Sequence, residues 1–292
     1  MSTVTRRRRP SRDVRPRRRP VQGVVAKIAI FLILFYAVLA VLGPHITPFP
    51  PDQVGVGPRL SPPSADHWFG TDALGRDQLS RVVAAAQPAL LSAVYAVTFA
   101  LVIGTVIGIA AGFLGGLWDG TLSRVVDLLF AIPEYLLAIL VITVMGSGLV
   151  NASLAIGLVC IPRFARIARA STIAIMERNY IDAARLCGRG RIWIMRRHIL
   201  PNIASPLVIM TAINLSTAEG AYAALSFLGF GVRPPAADYG SMISSSQQYL
   251  LTDPWLVVFP SIAFVVLVLA FNLLGDVMRD RLDPRSRTSA GA

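Results

Sequence analysis

Among the charged side chains inside otherwise apolar stretches of this 292-residue chain are Arg124, Asp127, Glu134 and Glu219. An ionisable group within a membrane-length apolar run is a functional candidate, because lipid cannot solvate it. Asp127 and Glu134 are seven residues apart and so share a helix face, and Arg124 is spaced to pair with Asp127 as a local ion pair. Glu134 has no partner nearby in the sequence. Glu219 lies close to Asn214, Ser216 and Thr217, which makes its stretch the most polar of the set. Two readings stay open for these polar residues: lining of a polar pathway, with Glu134 and Glu219 attracting a solute's cationic group, or hydrogen bonds between helices.

Other chemistries are excluded by residue type. His45, His67 and His198 are scattered, as are Cys160 and Cys187, so neither a metal cluster nor a disulfide framework is indicated. No paired catalytic constellation is visible, and an enzyme is not expected. Lys27 is the single lysine, and Gly-Lys-Ser/Thr is absent, so the chain has no phosphate-cradling P-loop. Any ATP chemistry belongs to another chain.

The elements that must position these residues are membrane spans. The chain is 54% hydrophobic and 15% charged. Apolar runs of about 20 residues are long enough to cross a bilayer as helices. Six are predicted: Val24–Gly43, Pro88–Gly116, Leu122–Met145, Ala152–Ala168, Ile203–Phe227 and Trp255–Gly275. The first is too long for a signal peptide and is read as an anchor. The expected organisation is an Arg-rich, disordered tail over 1–22, a first span over 23–43 and an external segment over 44–87. A five-span core over 88–276, containing a polar loop over 163–202, and a tail over 277–292 complete it.

Charge sets the orientation. Of 28 basic residues, 24 fall on one side of a six-span arrangement, leaving Arg59, Arg76, Arg81 and Arg233 on the other. The positive-inside rule places both termini and the 163–202 loop in the cytoplasm. The net charge of +12 is therefore topological, and nucleic acid is not expected as a partner.

Within the second span, Ser92, Ala96, Ala100, Gly104, Gly108, Gly112 and Gly116 recur every four residues. Small residues let helices approach closely in lipid, so this strip is read as a packing seam. A four-residue period drifts by ~40° per step on an α-helix and should wind around it. The external segments 44–87 and 229–254 are rich in Pro and Gly, with a helix predicted over Arg76–Ala86.

A charged island, Asn179–Asn202, separates two of the spans. Asn179 is placed to N-cap a short helix with Asp182 three residues on, Ala183 and Ala184 keep its surface flat, and Gly188 supplies the stop. About two turns of helix cannot stand alone in water. Spacing alone leaves two options, docking on a partner or resting on lipid headgroups through Trp193 and the surrounding arginines.

Asp182-Ala183-Ala184, Gly188 and Leu200-Pro201 together resemble the EAA loop of ABC-importer permeases. Phe69–Arg81 resembles the GTDxxGRD stretch of the dipeptide/oligopeptide/nickel permease family. Leu225–Gly240 and Asn272–Pro284 resemble that family's C-terminal half. The likeness covers roughly residues 24 to 285. It implies an all-α membrane protein with six transmembrane helices, the type I importer permease fold and a cytoplasmic coupling helix. The coupling residues by this resemblance are Asn179, Tyr180, Asp182, Ala183, Ala184, Gly188, Arg191 and Pro201. It further implies a bacterial inner-membrane location, a second homologous permease, two ATP-binding subunits and an external solute-binding protein. ATP and Mg would sit on the ATPases, with no cofactor on this chain. Dipeptides or oligopeptides are the implied solutes, with nickel or glutathione as alternatives. A scaffold or sensor acting through the Arg-rich tail is the remaining, distant reading. Three departures stand out: Asp182 replaces the usual Glu, His198 an aliphatic residue, and Glu134 follows Pro133 where small or neutral residues are usual.

Overall fold

The computed structural model describes residues 20–282. The Arg-rich tail lies outside the described residues except for its last three, which belong to the first helix. The helices are α1 (Pro20–Ile46), α2 (Gln78–Ala84), α3 (Ala86–Leu114), α4 (Gly116–Ala131), α5 (Glu134–Met145) and α6 (Leu149–Met176). They continue with α7 (Asn179–Leu186), α8 (Arg191–Ile194), α9 (Leu200–Phe227), α10 (Tyr239–Ser246) and α11 (Trp255–Leu282). A π-helical turn, Met195–Ile199, joins α8 to α9. Among the described residues there is no strand, only an isolated bridge between Thr71 and Asp77. An all-helical fold suits a lipid environment, where backbone groups must be satisfied within each segment.

Among the described residues, five helical runs are long and apolar enough to cross a membrane: Val24–Gly43, Gln78–Leu114, Leu149–Met176, Arg191–Phe227 and Trp255–Leu282. The third expected span differs from its prediction. Instead of one helix over Leu122–Met145, α4 and α5 meet at 94°. The cause is Pro133: it disfavours helical backbone at Ile132, which is extended at φ −93°, ψ 131°. Upstream, Gly115 and Gly116 both adopt positive φ, so the chain leaves α3 by a turn most residues resist. The polar loop also starts later than expected. α6 continues through Pro162 to Met176 and carries Arg163, Arg166 and Arg169 within the helix.

The four-residue strip on α3 is a seam against α6. A Cβ at Gly104 would come within 2.7 Å of the Ile161 carbonyl and of Phe164 Cβ. One at Gly108 would meet the Ala165 carbonyl and Ala168 Cβ, and one at Gly112 would lie 2.9 Å from the Arg169 carbonyl. Gly157 of α6 returns the fit against Ala96. Ala96 and Ala100 are fully buried. The expected winding does not take the strip away from its partner, because α6 also advances by about four residues per contact, ridge against ridge. Gly116 is not part of the seam: no neighbour lies within 4 Å of its Cβ position.

Two apolar cores result. One joins α3, α5, α6 and α9 and extends to Ile181 of α7 and Ile194 of α8. The other joins Tyr36 of α1, Val82 of α2, the first turns of α3, Tyr239 and Met242 of α10, and Leu267 and Phe271 of α11. Much of α1 lies outside both, with Phe31, Leu34 and Val41 exposed as lipid-facing residues would be.

Candidate functional site

Functional candidates gather at three depths. At the end where α6 and α9 meet, α7 projects as a docked outrigger. Ile181 is fully buried and Ala184 half-buried, fixing one face of α7 to the core. Asn179, Tyr180, Asp182, Ala183, Gly188, Arg191 and Pro201 are all exposed, and Leu186 is 89% exposed. The helix stops as its sequence suggests. Gly188 sits at φ +74°, its N–H donates to the Arg185 carbonyl at 2.9 Å, and the Arg189 N–H donates to the Ala184 carbonyl at 3.1 Å. This paired pattern is a Schellman cap. The start differs. Arg178 holds the N-cap position and makes no side-chain cap bond, while Asn179 is the first helical residue. Asp182 instead accepts from Arg185 Nη1 at 3.0 Å.

His198 is bracketed by two rings the sequence did not connect to it, Tyr180 of α7 at 5.4 Å and Trp193 of α8 at 5.1 Å between centroids. Arg189 lies over Trp193 at 4.8 Å. The imidazole thus ties α7 to the chain leading into α9. The exposed Cys187 sits at the C-cap of α7, whereas Cys160 is buried in α6.

Along α6 an ion-pair ladder crosses from α4 and α5. Asp119 accepts from Arg169 Nε and Nη2 at 2.5 and 2.7 Å. Asp127 accepts from Arg166 Nη2 at 2.8 Å, and the Arg166 guanidinium lies 4.0 Å over the Phe130 ring. Glu134 accepts from Arg163 Nη2. The expected Arg124–Asp127 pair is therefore replaced by Arg166–Asp127, a contact 39 residues apart in sequence. Arg163 also donates through Nη1 to Asn214 Oδ1 at 3.3 Å, and Asn214 Nδ2 donates to the Met210 carbonyl at 2.8 Å. A shallow depression beside this cluster is lined by Glu134, Tyr135, Cys160, Arg163 and Thr217.

The polar residues of α9 divide between two faces. Asn214 meets Arg163 and Thr217 borders the same depression. Glu219 is 1% exposed and accepts from Ser92 Oγ of α3 at 2.9 Å, and Ser216 is also buried. Glu134 and Glu219 therefore do not share a surface.

At the opposite end, the Gly-Thr-Asp…Gly-Arg-Asp stretch folds on itself. Asp72 Oδ1 accepts from the Leu74 and Arg76 N–H groups at 2.8 and 3.0 Å, and its Oδ2 from Arg76 Nε at 2.6 Å. Asp77 N-caps α2 by accepting from Ser80 N at 2.8 Å and lies 2.9 Å from His67 Nδ1. Gln78 Nε2 donates to the Leu256 carbonyl at 3.0 Å, and Arg81 Nη1 to the carbonyls of Pro51 and Pro235. Arg81 thereby joins the 44–87 segment to the 229–254 segment, and Gln78 joins it to α11.

A profile described as "binding-protein-dependent transport system inner membrane component" matches residues 104–288. The glutathione transport system permease protein GsiD of Shigella flexneri serotype 5b (strain 8401) is 43% identical over 265 residues, covering 90% of this chain and 87% of that protein. The protein of the same description from Escherichia coli O157:H7 is 40% identical with the same coverage. Among solved structures, an inward-facing form of the MetNI methionine ABC transporter superposes with a TM-score of 0.55 at 22% identity, covering 69% of this chain and 96% of that one. That likeness concerns the fold, and the two GsiD proteins carry the family assignment. The chain belongs to the inner-membrane permease components of binding-protein-dependent ABC importers.

Proposed function

We propose that this chain forms half of the pathway of an ATP-driven importer for short peptides, with tripeptides such as glutathione inside the range. The similarity to GsiD proteins supports the substrate class, since glutathione is itself a tripeptide. A second permease chain would supply the other half, an external binding protein would deliver solute, and two ATPase subunits would bind at the α7 end. By the charge distribution that end is cytoplasmic. The observation that carries the coupling role is the division of α7 into a buried anchor, Ile181, and an exposed face with Tyr180, Asp182, Ala183 and Leu186. A helix fixed on one side and free on the other transmits displacement as a rigid body. Its face needs shape rather than reactive groups, which fits the exposed Ala183 at its centre.

The experiment is purification of the tagged chain from its native membrane in mild detergent, with every accompanying protein identified. Recovery of a second permease, P-loop ATPases and a binding protein carrying a peptide is the expected result. A binding protein loaded with a non-peptide solute overturns the substrate class, and recovery without ATPases even after crosslinking overturns the role of α7.

A further inference from the structure

Arg163 differs from the other two arginines of the ladder. Arg169 gives two nitrogens to one carboxylate, and Arg166 gives one nitrogen to Asp127 alone and lies against the Phe130 ring, with its side chain 56% exposed. Arg163 divides its two terminal nitrogens between two helices, Glu134 of α5 and Asn214 of α9. The Asn214 side is fixed: its residue is 1% exposed and its amide is held by the Met210 carbonyl. The Glu134 side is open, with the carboxylate side chain 51% exposed and that of Arg163 22%. Glu134 is also the first residue of α5, directly after the extended Ile132 and Pro133. Arg163 lies 14 residues into α6, about 21 Å from that helix's outer start. Charges at such depth face protein or water rather than hydrocarbon.

Breaking such a pair is costly when either charge is left without a partner inside a membrane-spanning bundle. Exchanging partners avoids that cost. A solute bearing both a carboxylate and an ammonium group can take Arg163 Nη2 with the first and Glu134 with the second, so no charge is left unmatched. A solute lacking either group leaves one protein charge exposed without a partner. We propose that Glu134 and Arg163 are an exchangeable ion pair on the pathway that admits zwitterionic solutes, Arg163 receiving the carboxylate and Glu134 the ammonium. The proposal rests on the pathway reading given above and adds Arg163 as its anion-binding group.

The test uses the importer assembled with its own partner chains and binding protein in proteoliposomes. Uptake is measured for a tripeptide, its C-terminal amide and its N-acetyl form, with wild type, Arg163→Gln, Arg163→Lys and Glu134→Gln. The binding protein is the same throughout, so a changed ratio belongs to the permease. Arg163→Gln is expected to reduce the preference for free acid over amide at least tenfold. Glu134→Gln is expected to reduce the preference for free amine over N-acetyl by a similar factor, and Arg163→Lys to retain most of the acid preference. Equal losses on all three peptides, or unchanged ratios, overturn the proposal. If Arg163→Gln does not assemble, an Arg163→Lys complex that loses acid and amide uptake equally overturns it instead. Failure of the wild type to import any peptide overturns the peptide reading alone. The variants are then scored on the solute eluted from the binding protein, and a solute without both charged groups overturns the exchange as well.

Discussion

At Gly108 a single added methyl has nowhere to go, since it would strike the Ala165 carbonyl and lie 2.6 Å from Ala168 Cβ. The partner atoms belong to helix backbone and to an alanine, neither of which can rotate aside. Gly108→Leu is therefore expected to force α3 and α6 apart, costing at least about 1–3 kcal/mol as overpacking. Thermal unfolding in detergent checks this, with Gly120→Leu as the control: nothing lies within 4 Å of that Cβ position, and little change is expected. The seam was legible because a four-residue repeat of small side chains has one physical use in lipid. The ion pairs were not legible. Asp119 and Glu134 would be about 22 Å apart on a straight helix, whereas Arg163 and Arg169 span about 9 Å of α6. Sequence spacing could not match those two lengths without the 94° bend between α4 and α5.

For an element such as α7, one residue fixes the helix and others face outward, so the two functions separate by mutation. Ile181→Ala removes a fully buried anchor and is expected to weaken docking by about 2–5 kcal/mol. Hydrogen exchange over 179–188 in the purified complex should accelerate accordingly. Leu186→Asp leaves the anchor intact, so exchange should stay near wild type, while recovery of ATPase subunits falls severalfold. If both variants accelerate exchange alike, α7 has no distinct outward face. The helix and its stop were readable from Asp182, the two alanines and Gly188. Its start was not, because the chain enters through Arg178 in an extended conformation without a side-chain cap. Nor was the link to α9, since the ring contacts around His198 depend on the π-helical turn that carries it.

Across the whole molecule, the two apolar cores divide the labour. The core that reaches Ile181 contains α6 and α9, so in the coupling proposed above a displacement of α7 would be passed to the helices that hold Arg163 and Asn214. The other core gathers α1, α2, α10 and α11, and is fastened by the knot around Asp77. Asp77→Ala removes the α2 cap, worth about 1 kcal/mol, and leaves the buried His67 without its carboxylate. A lowered unfolding temperature is expected, with α7 exchange unchanged; accelerated exchange at α7 would show that the two cores do not act separately. The motif here was recognisable as a resemblance. Its mechanical meaning required contacts such as Gln78 to Leu256, which are 178 positions apart. The cap of α7 has one more consequence, a spectroscopic one. The sequence has only two cysteines, and Cys160 is enclosed while Cys187 is solvent-exposed at the end of α7. A maleimide dye on the unmodified protein would therefore label one position, beside the surface where nucleotide-driven movement should arrive. The wild-type chain can thus serve as its own single-site reporter, with no cysteine removed or added.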